Sequence, residues 1–330
     1  MSPARRRLPA VVAAVAALLA GCSPGGRAAP RPATTPAPGT PTVAASPEPT
    51  LPAVKGFQVA AGEPAPQVKR AAVRFLQTLL NHEDGEGAVT VTKARLAAAG
   101  LPPGPADQAG PLLNPAGAQA GEVVYPQLGG LTAANASVMA VVRTHRLTEA
   151  GQVVSTSRTV DLRLGGKAGG WQVTGIAFDG GAPPAASGDR PAASALAGDV
   201  LADTRITMPD SAREEVRSGA VDARVLRLLL DLARRWPVTV AVFKAGHPYN
   251  VFATDRVSNH SRGRAVDLWA VGGRTVAAQR GDPSSAARAL VVEALRGGAT
   301  EVGGPWAVSA NGRTSFTNTV HHDHIHVGFD

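Results

Sequence analysis

Residues 258–267 read SNHSRGRAVD, and residues 321–327 read HHDHIHV near the end of the chain. Six of the eight histidines lie in the last third of the sequence. Small residues, Gly263 and Ala265, stand between His260 and Asp267, so a tight turn and the strand after it can bring both side chains to one point. The second segment leads into IHVGF at residues 325–329, which is typical of a strand. These two segments predict a fold that closes around a His/Asp cluster.

A metal at this cluster must take nitrogen and oxygen donors. The single cysteine, Cys22, excludes a disulfide within one chain and a thiolate-bound metal. A catalytic zinc needs three protein ligands and an open fourth position. Side chains two residues apart on a strand share a face. His324 and His326 can therefore lie side by side, one binding the metal and the other facing the substrate. Asp323, at the strand entrance, can reach a bound water.

The first segment satisfies every fixed position of the pattern Ser-x-His-x-x-Gly-x-Ala-x-Asp. It resembles the zinc D-alanyl-D-alanine carboxypeptidases and their L-alanyl-D-glutamate endopeptidase relatives, in the hedgehog/DD-peptidase fold group. The resemblance implies one Zn²⁺ bound by His260, Asp267 and His326. The wider group shares a His-x-His ending, matched by His324 and His326. The carboxypeptidase branch places its general base three residues before the last histidine, where Asp323 stands.

The mechanism that this resemblance implies is metal-assisted hydrolysis of peptide bonds in peptidoglycan stem peptides. Asp323 is the implied base, passing a proton to the leaving amine. His324 is implied to donate to the oxyanion or to orient that carboxylate, with the alternative that it is the base itself. Ser258 is expected to hydrogen-bond the substrate or a ligand.

One part of the family pattern is missing. The family carries a Ser-Gly-Tyr-Arg-like segment upstream, whereas residues 243–249 here read FKAGHPY and contain no arginine. Lys244 or Arg256 is expected to replace that cation in substrate binding, although lysine offers a point charge instead of a planar fork. His247, between Gly and Pro, is expected in a turn, with a position lining the cleft as the alternative, and His321 and His322 receive no role.

The N-terminus predicts export and lipidation. Three arginines precede an apolar stretch that is too short to span a bilayer, and it ends LAGC, which resembles the lipobox of bacterial lipoproteins. Residues 1–21 are therefore expected to be a signal peptide, with Cys22 the lipidation site and residues 22–54 a Pro/Ala/Thr-rich tether. The protein is expected to be extracytoplasmic and anchored to the cell membrane.

Two folded domains are expected after the tether, giving an α+β chain. Residues 55–179 form a small helix-plus-antiparallel-sheet domain, and residues 180–194 a linker. Residues 195–330 form the hedgehog/DD-peptidase-like domain, an antiparallel sheet with flanking helices. The expected elements of the first domain are a helix at 67–80 and strands at 136–147, 153–164 and 171–178. Those of the second are a helix capped by Asp222 and stopped by Pro237, a buried strand at 238–243 and a helix at 284–295.

Other functions stay open at this point. Removal of residues 1–21 lowers the formal charge from +8 to +5, and no basic run carries interleaved aromatic residues, so no nucleic-acid partner is expected. One alternative is a non-catalytic, zinc-stabilised module that binds cell-wall peptides or a protein. Another is an interaction platform formed by residues 55–179, with the C-terminal domain only supporting it.

Overall fold

The computed structural model describes residues 50–167, 170–178 and 195–330. The predicted signal peptide, Cys22, most of the tether and the linker at 180–194 lie outside these residues. Within the described ranges, no helix has the length and apolar character needed to cross a membrane.

The N-terminal half is an antiparallel meander with helices packed on it. Its elements are α1 (Pro66–Leu80), α2 (Val89–Ala98), β1 (Gln119–Leu131), β2 (Asn135–Leu147), β3 (Val153–Lys167) and β4 (Gly170–Ala177). The strands are hydrogen-bonded in the order β1-β2-β3-β4. The predicted helix at 67–80 and the three predicted strands are confirmed as α1, β2, β3 and β4. The apolar side of α1, including Val68, Phe75 and Leu79, is buried against this sheet.

Strand β1 is absent from the sequence prediction because it reads QAGEVVYPQLGGL, with a proline and three glycines. It lies at the edge of the meander, where proline is tolerated because an outward-facing nitrogen takes no part in the ladder. Pro126 and Leu128 are two residues apart within a regular stretch of the register, so their nitrogens face the same way. The Leu128 N–H donates to Asp323 in the C-terminal half, which places both nitrogens on the free edge.

The C-terminal half contains a second sheet with helices around it. Its strands are β5 (Ile206–Thr207), β6 (Val238–Val242), β7 (Ala265–Val271), β8 (Arg274–Thr275), β9 (Glu301–Gly303) and β12 (Ile325–Gly328), with a small separate hairpin of β10 (Ser309–Ala310) and β11 (Arg313–Thr314). The order is β5-β6-β7-β12-β9, with β8 paired to β7. The pairs are antiparallel except β5 and β6, which are parallel. The expected antiparallel sheet is thus found except at this edge, where the helical connection between β5 and β6 is a crossover that makes them parallel.

The helices of this half are α3 (Ala195–Ala202), α4 (Asp210–Arg217), α5 (Ala223–Ala233), α6 (Val276–Gln279) and α7 (Ala286–Arg296). Asp222 caps α5 by accepting the Arg224 N–H, as predicted. Apolar residues of α5 and α7, such as Leu229 and Leu290, pack on β6, β7 and β12. The chain is thus a mixed α+β protein.

The two halves pack directly on each other. The Tyr125 ring of β1 stacks on the Trp269 ring of β7, with centroids 4.6 Å apart. Met139 of β2 joins a small apolar cluster with Val242 of β6. The face of the meander opposite α1 therefore packs on the C-terminal sheet, while the free edge of β1 reaches Asp323 beside the predicted metal ligands.

Candidate metal centre

The backbone explains why His260 and Asp267 meet. His260 begins a single 3₁₀ turn that ends at Gly263, whose φ of +70° is left-handed. A Cβ at Gly263 would lie 2.0 Å from the carbonyl oxygen of Ala220, so only glycine fits. Strand β7 follows, and the register pairs its Asp267 with His326 of β12. Turn and strand pairing together bring three donor side chains to one place.

The three donor atoms form a nearly equilateral triangle. His260 Nε2 lies 3.1 Å from Asp267 Oδ1 and 3.0 Å from His326 Nδ1, and the latter two atoms are 3.0 Å apart. All three side chains are buried. Tetrahedral zinc with bonds of about 2.0–2.1 Å has ligand atoms about 3.3 Å apart. The observed triangle matches three corners of such a site to within a few tenths of an ångström.

Partners behind the donors orient each ring. His260 Nδ1 donates to the carbonyl of Phe243, which leaves the Nε2 lone pair facing the triangle. His326 Nε2 faces Glu301 Oε2 at 3.4 Å, so its Nδ1 faces the triangle. Histidines that bind metals commonly donate their other nitrogen as His260 does, and the Glu301 carboxylate occupies the corresponding place behind His326. Burial raises the pKa of Asp267, but His260 and other neighbouring histidines outweigh it and hold that pKa well below its ordinary value.

His247 is the ligand candidate that the sequence did not point out. Its ring stacks on the His260 ring with centroids 4.0 Å apart, and donor atoms of His247, His260 and Asp267 lie within 4.8 Å of one another, a group able to hold a metal ion. Its Nδ1 donates to the carbonyl of Pro248. Burial and the nearby His260 hold the pKa of His247 well below its ordinary value, so its ring is neutral. One signal was available: His247 closely follows β6, the neighbour of the strand that carries Asp267.

His324 and Asp323 form a pair beside the triangle. His324 lines a cleft of about 320 Å³, and its Nε2 lies 3.7 Å from Asp267 Oδ2. Its Nδ1 is 2.7 Å from Asp323 Oδ1. Asp323 itself is fully buried, with Lys69 Nζ 2.5 Å and Leu128 N 2.8 Å from its Oδ2. The structure thus turns Asp323 toward His324 and away from the cleft.

The three predicted substrate-binding residues lie in different places. Ser258 and Arg256 line the cleft, where Ser258 Oγ accepts the His260 N–H and Arg256 forms an ion pair with Glu301 at 3.2 Å. Lys244 instead contacts Glu215, whose carboxylate accepts the backbone N–H of Lys244. Lys244 is not among the residues that line the cleft. The structure therefore places Arg256, but not Lys244, where a cleft-bound ligand can reach it.

The N-terminal half also contributes to the cleft. Leu128, Gly129 and Met139 line it, together with Phe252 and the metal-site histidines of the C-terminal half. Gln127 Nε2 donates to Asp267 Oδ2 at 2.6 Å. These residues lie more than a hundred positions before the motif, and nothing in their sequence marks them.

Comparisons with known proteins add little to this geometry. No family model matches the chain, and no curated protein matches it. Among solved structures, a protein from Xanthomonas campestris described as a calcium/calmodulin dependent protein kinase II association domain aligns with 18% of this chain and 41% of its own, at 14% identity and a TM-score of 0.16. A score this low supports no argument about fold or function.

Proposed function

We propose that this chain is a lipid-anchored, extracytoplasmic zinc peptidase that hydrolyses peptide bonds of peptidoglycan stem peptides, of the carboxypeptidase or endopeptidase type. One observation carries the proposal: His260, Asp267 and His326 converge at zinc-ligand spacing beside an open cleft. The motif resemblance supports the hedgehog/DD-peptidase fold for residues 195–330, and the lipobox supports anchoring through Cys22.

His260, Asp267 and His326 would hold the ion. Zinc, when bound, supplies a Lewis acid that polarises the scissile carbonyl and lowers the pKa of water. His324 Nε2, facing the cleft, takes up the proton of the attacking water and returns it to the leaving amine. Asp323 holds the His324 ring through Nδ1, and this contact fixes which ring nitrogen carries the proton. His324 is therefore the proposed base, with Asp323 behind it.

The proposal is tested by incubating the zinc-loaded chain with a panel of purified muropeptides and identifying products by mass spectrometry. We expect one peptide bond to be cut, one zinc per chain, and loss of both zinc and activity in His260→Ala. His145→Ala is the matched control, because His145 lies on β2 and bonds Ser155 far from the cleft. Stoichiometric zinc without any product from the panel would overturn the peptidase proposal.

That negative result would favour a second candidate. If His247 joins the other three ligands, the site has four protein donors, and closed sites of that kind are structural. The chain would then be a zinc-stabilised module that binds cell-wall peptides or a partner protein without cutting them.

A further inference from the structure

We propose that the N-terminal half completes the active site, with Gln127 and Lys69 acting as positioning residues for Asp267 and for the Asp323–His324 pair. This inference rests on the proposed function for its catalytic part, while its metal-binding part stands independently. It changes the expected role of residues 55–179 from an accessory domain to a source of site residues.

Gln127 fixes the orientation of a metal-binding carboxylate. Its side chain is fully buried and its Nε2 donates to Asp267 Oδ2 at 2.6 Å, on the oxygen opposite to Oδ1, which faces His260 and His326. A carboxylate can rotate and present either oxygen. With Oδ2 held by Gln127, Oδ1 stays directed at the triangle. Removal of such supporting hydrogen bonds lowers metal affinity about 10–100-fold in known zinc sites.

Lys69 fixes the second carboxylate. This lysine on α1 is fully buried and its Nζ lies 2.5 Å from Glu63 and 2.5 Å from Asp323. A buried ammonium is costly without partners, so the position is built around the two carboxylates. Because Asp323 Oδ2 is occupied by Lys69 and the Leu128 N–H, Oδ1 is left for His324 Nδ1.

These contacts come from the edge of the N-terminal domain that faces the site. Tyr125 connects the contacts of Gln127 with those of Lys69. Its hydroxyl donates to Glu63, and its ring stacks on Trp269 of β7, the strand that carries Asp267. Some contacts between the halves involve none of the three triangle residues. Thr159 Oγ1, for example, donates to the Ala241 carbonyl at 2.5 Å and contacts no predicted ligand. The interface therefore contains both site-directed and purely structural hydrogen bonds, which makes a matched comparison possible.

The first experiment compares Gln127→Met with Thr159→Val in the otherwise intact chain. Each variant removes one buried hydrogen bond between the halves with little change in volume. Zinc affinity is measured by competition with a chromophoric chelator, and unfolding by urea. We expect zinc affinity to fall about 10–100-fold in Gln127→Met and to stay unchanged in Thr159→Val, with similar losses of stability. Equal zinc affinities in the two variants would overturn the role of Gln127.

The second experiment measures muropeptide hydrolysis at saturating zinc in Lys69→Met, Asp323→Asn and the double variant. We expect kcat to fall with KM unchanged in each single variant. The kcat of the double variant should equal that of the less active single variant, because both residues act through His324. Additive losses, or an unchanged kcat in Lys69→Met, would overturn the positioning role. A rise in kcat would also overturn it, since it would mean that Lys69 restrains Asp323 from acting as the base.

The two experiments separate the inference from the proposed function. If Lys69→Met does not fold, the zinc affinity of Gln127→Met still decides whether the N-terminal half positions the site. If the unaltered chain cuts no muropeptide, the peptidase proposal fails. The zinc affinity of Gln127→Met would still test whether the N-terminal half positions the metal ligands.

Discussion

If zinc binds the triangle as proposed, zinc added to the metal-free protein at pH 7 has to displace a proton from His326. Burial alone would lower the pKa of this ring, but its hydrogen bonds with Asp267 and Glu301 outweigh burial and raise the pKa to about 9. The nitrogen that faces the triangle is Nδ1, 3.0 Å from Asp267 Oδ1. Because a ligating histidine must be neutral, zinc and the proton compete for the same ring.

The size of this competition follows from the raised pKa. At pH 7, two units below a pKa of about 9, the His326 ring is roughly 99% protonated. Zinc binding should therefore release close to one proton per site at pH 7. The apparent affinity should be about 100-fold weaker at pH 7 than above pH 9 and should rise about tenfold per pH unit between these limits.

Calorimetric titration in buffers of different ionisation enthalpy measures the released proton. The observed binding enthalpy should vary linearly with the buffer's ionisation enthalpy, with a slope of magnitude near one at pH 7. Chelator-buffered zinc titrations between pH 7 and 9 should give the matching rise in affinity. A slope near zero at pH 7 would contradict this prediction, because the His326 ring would then be neutral before zinc binds.

The same group affects the stability of the metal-free protein. A folded-state pKa raised from 6.5 to about 9 stabilises the folded state below pH 6.5, and this contribution is lost as the pH rises to 9. The difference corresponds to ~3 kcal/mol. Urea denaturation of the metal-free chain should therefore show a fall in the free energy of unfolding between pH 6.5 and 9. The zinc-loaded chain should not show the fall that comes from His326, because a zinc-bound His326 carries no proton at this nitrogen.

Three substitutions test other parts of the account. Gly263→Ala places a Cβ in a left-handed turn, 2.0 Å from the Ala220 carbonyl oxygen. We expect the free energy of unfolding in urea to fall by roughly 2–3 kcal/mol and zinc binding to weaken. An unchanged free energy of unfolding would contradict the left-handed turn at this position. Glu301→Gln weakens the support behind His326. Above pH 9, where the His326 proton no longer competes, zinc affinity should therefore fall ~10-fold in chelator competition. An unchanged affinity there would show that Glu301 does not support the site. Asp222→Ala removes a helix cap and should cost about 1 kcal/mol in thermal unfolding, whereas a change in zinc affinity would be unexpected.

The local part of the metal centre was predictable because it depends on short-range geometry. A turn with Gly263, followed by a strand, was enough to bring His260 and Asp267 together, and the predicted strand placed His326 opposite Asp267. The expectation that His324 lies on that strand is wrong, because β12 begins at Ile325. The helix capped by Asp222 was equally readable, since its cap and apolar stripe lie within a dozen residues.

The contributions of the N-terminal half were not predictable, because they depend on how two sheets pack. Strand β1 carries Pro126 and glycines, and only its edge position makes these residues acceptable. Gln127 and Lys69 become site residues when this edge lies on β7 and β12, and no spacing within the motif encodes that contact. For the same reason Asp323 looked free to face the cleft, whereas the structure pairs it with a buried ammonium.

The most direct test of the account is X-ray diffraction at the zinc absorption edge from crystals of the zinc-loaded chain. We predict one anomalous peak about 2.0–2.1 Å from His260 Nε2, Asp267 Oδ1 and His326 Nδ1, with a fourth position open to the cleft beside His324. A peak bound also by His247, leaving no open position, would contradict a catalytic centre. No peak at this cluster would contradict the metal site itself.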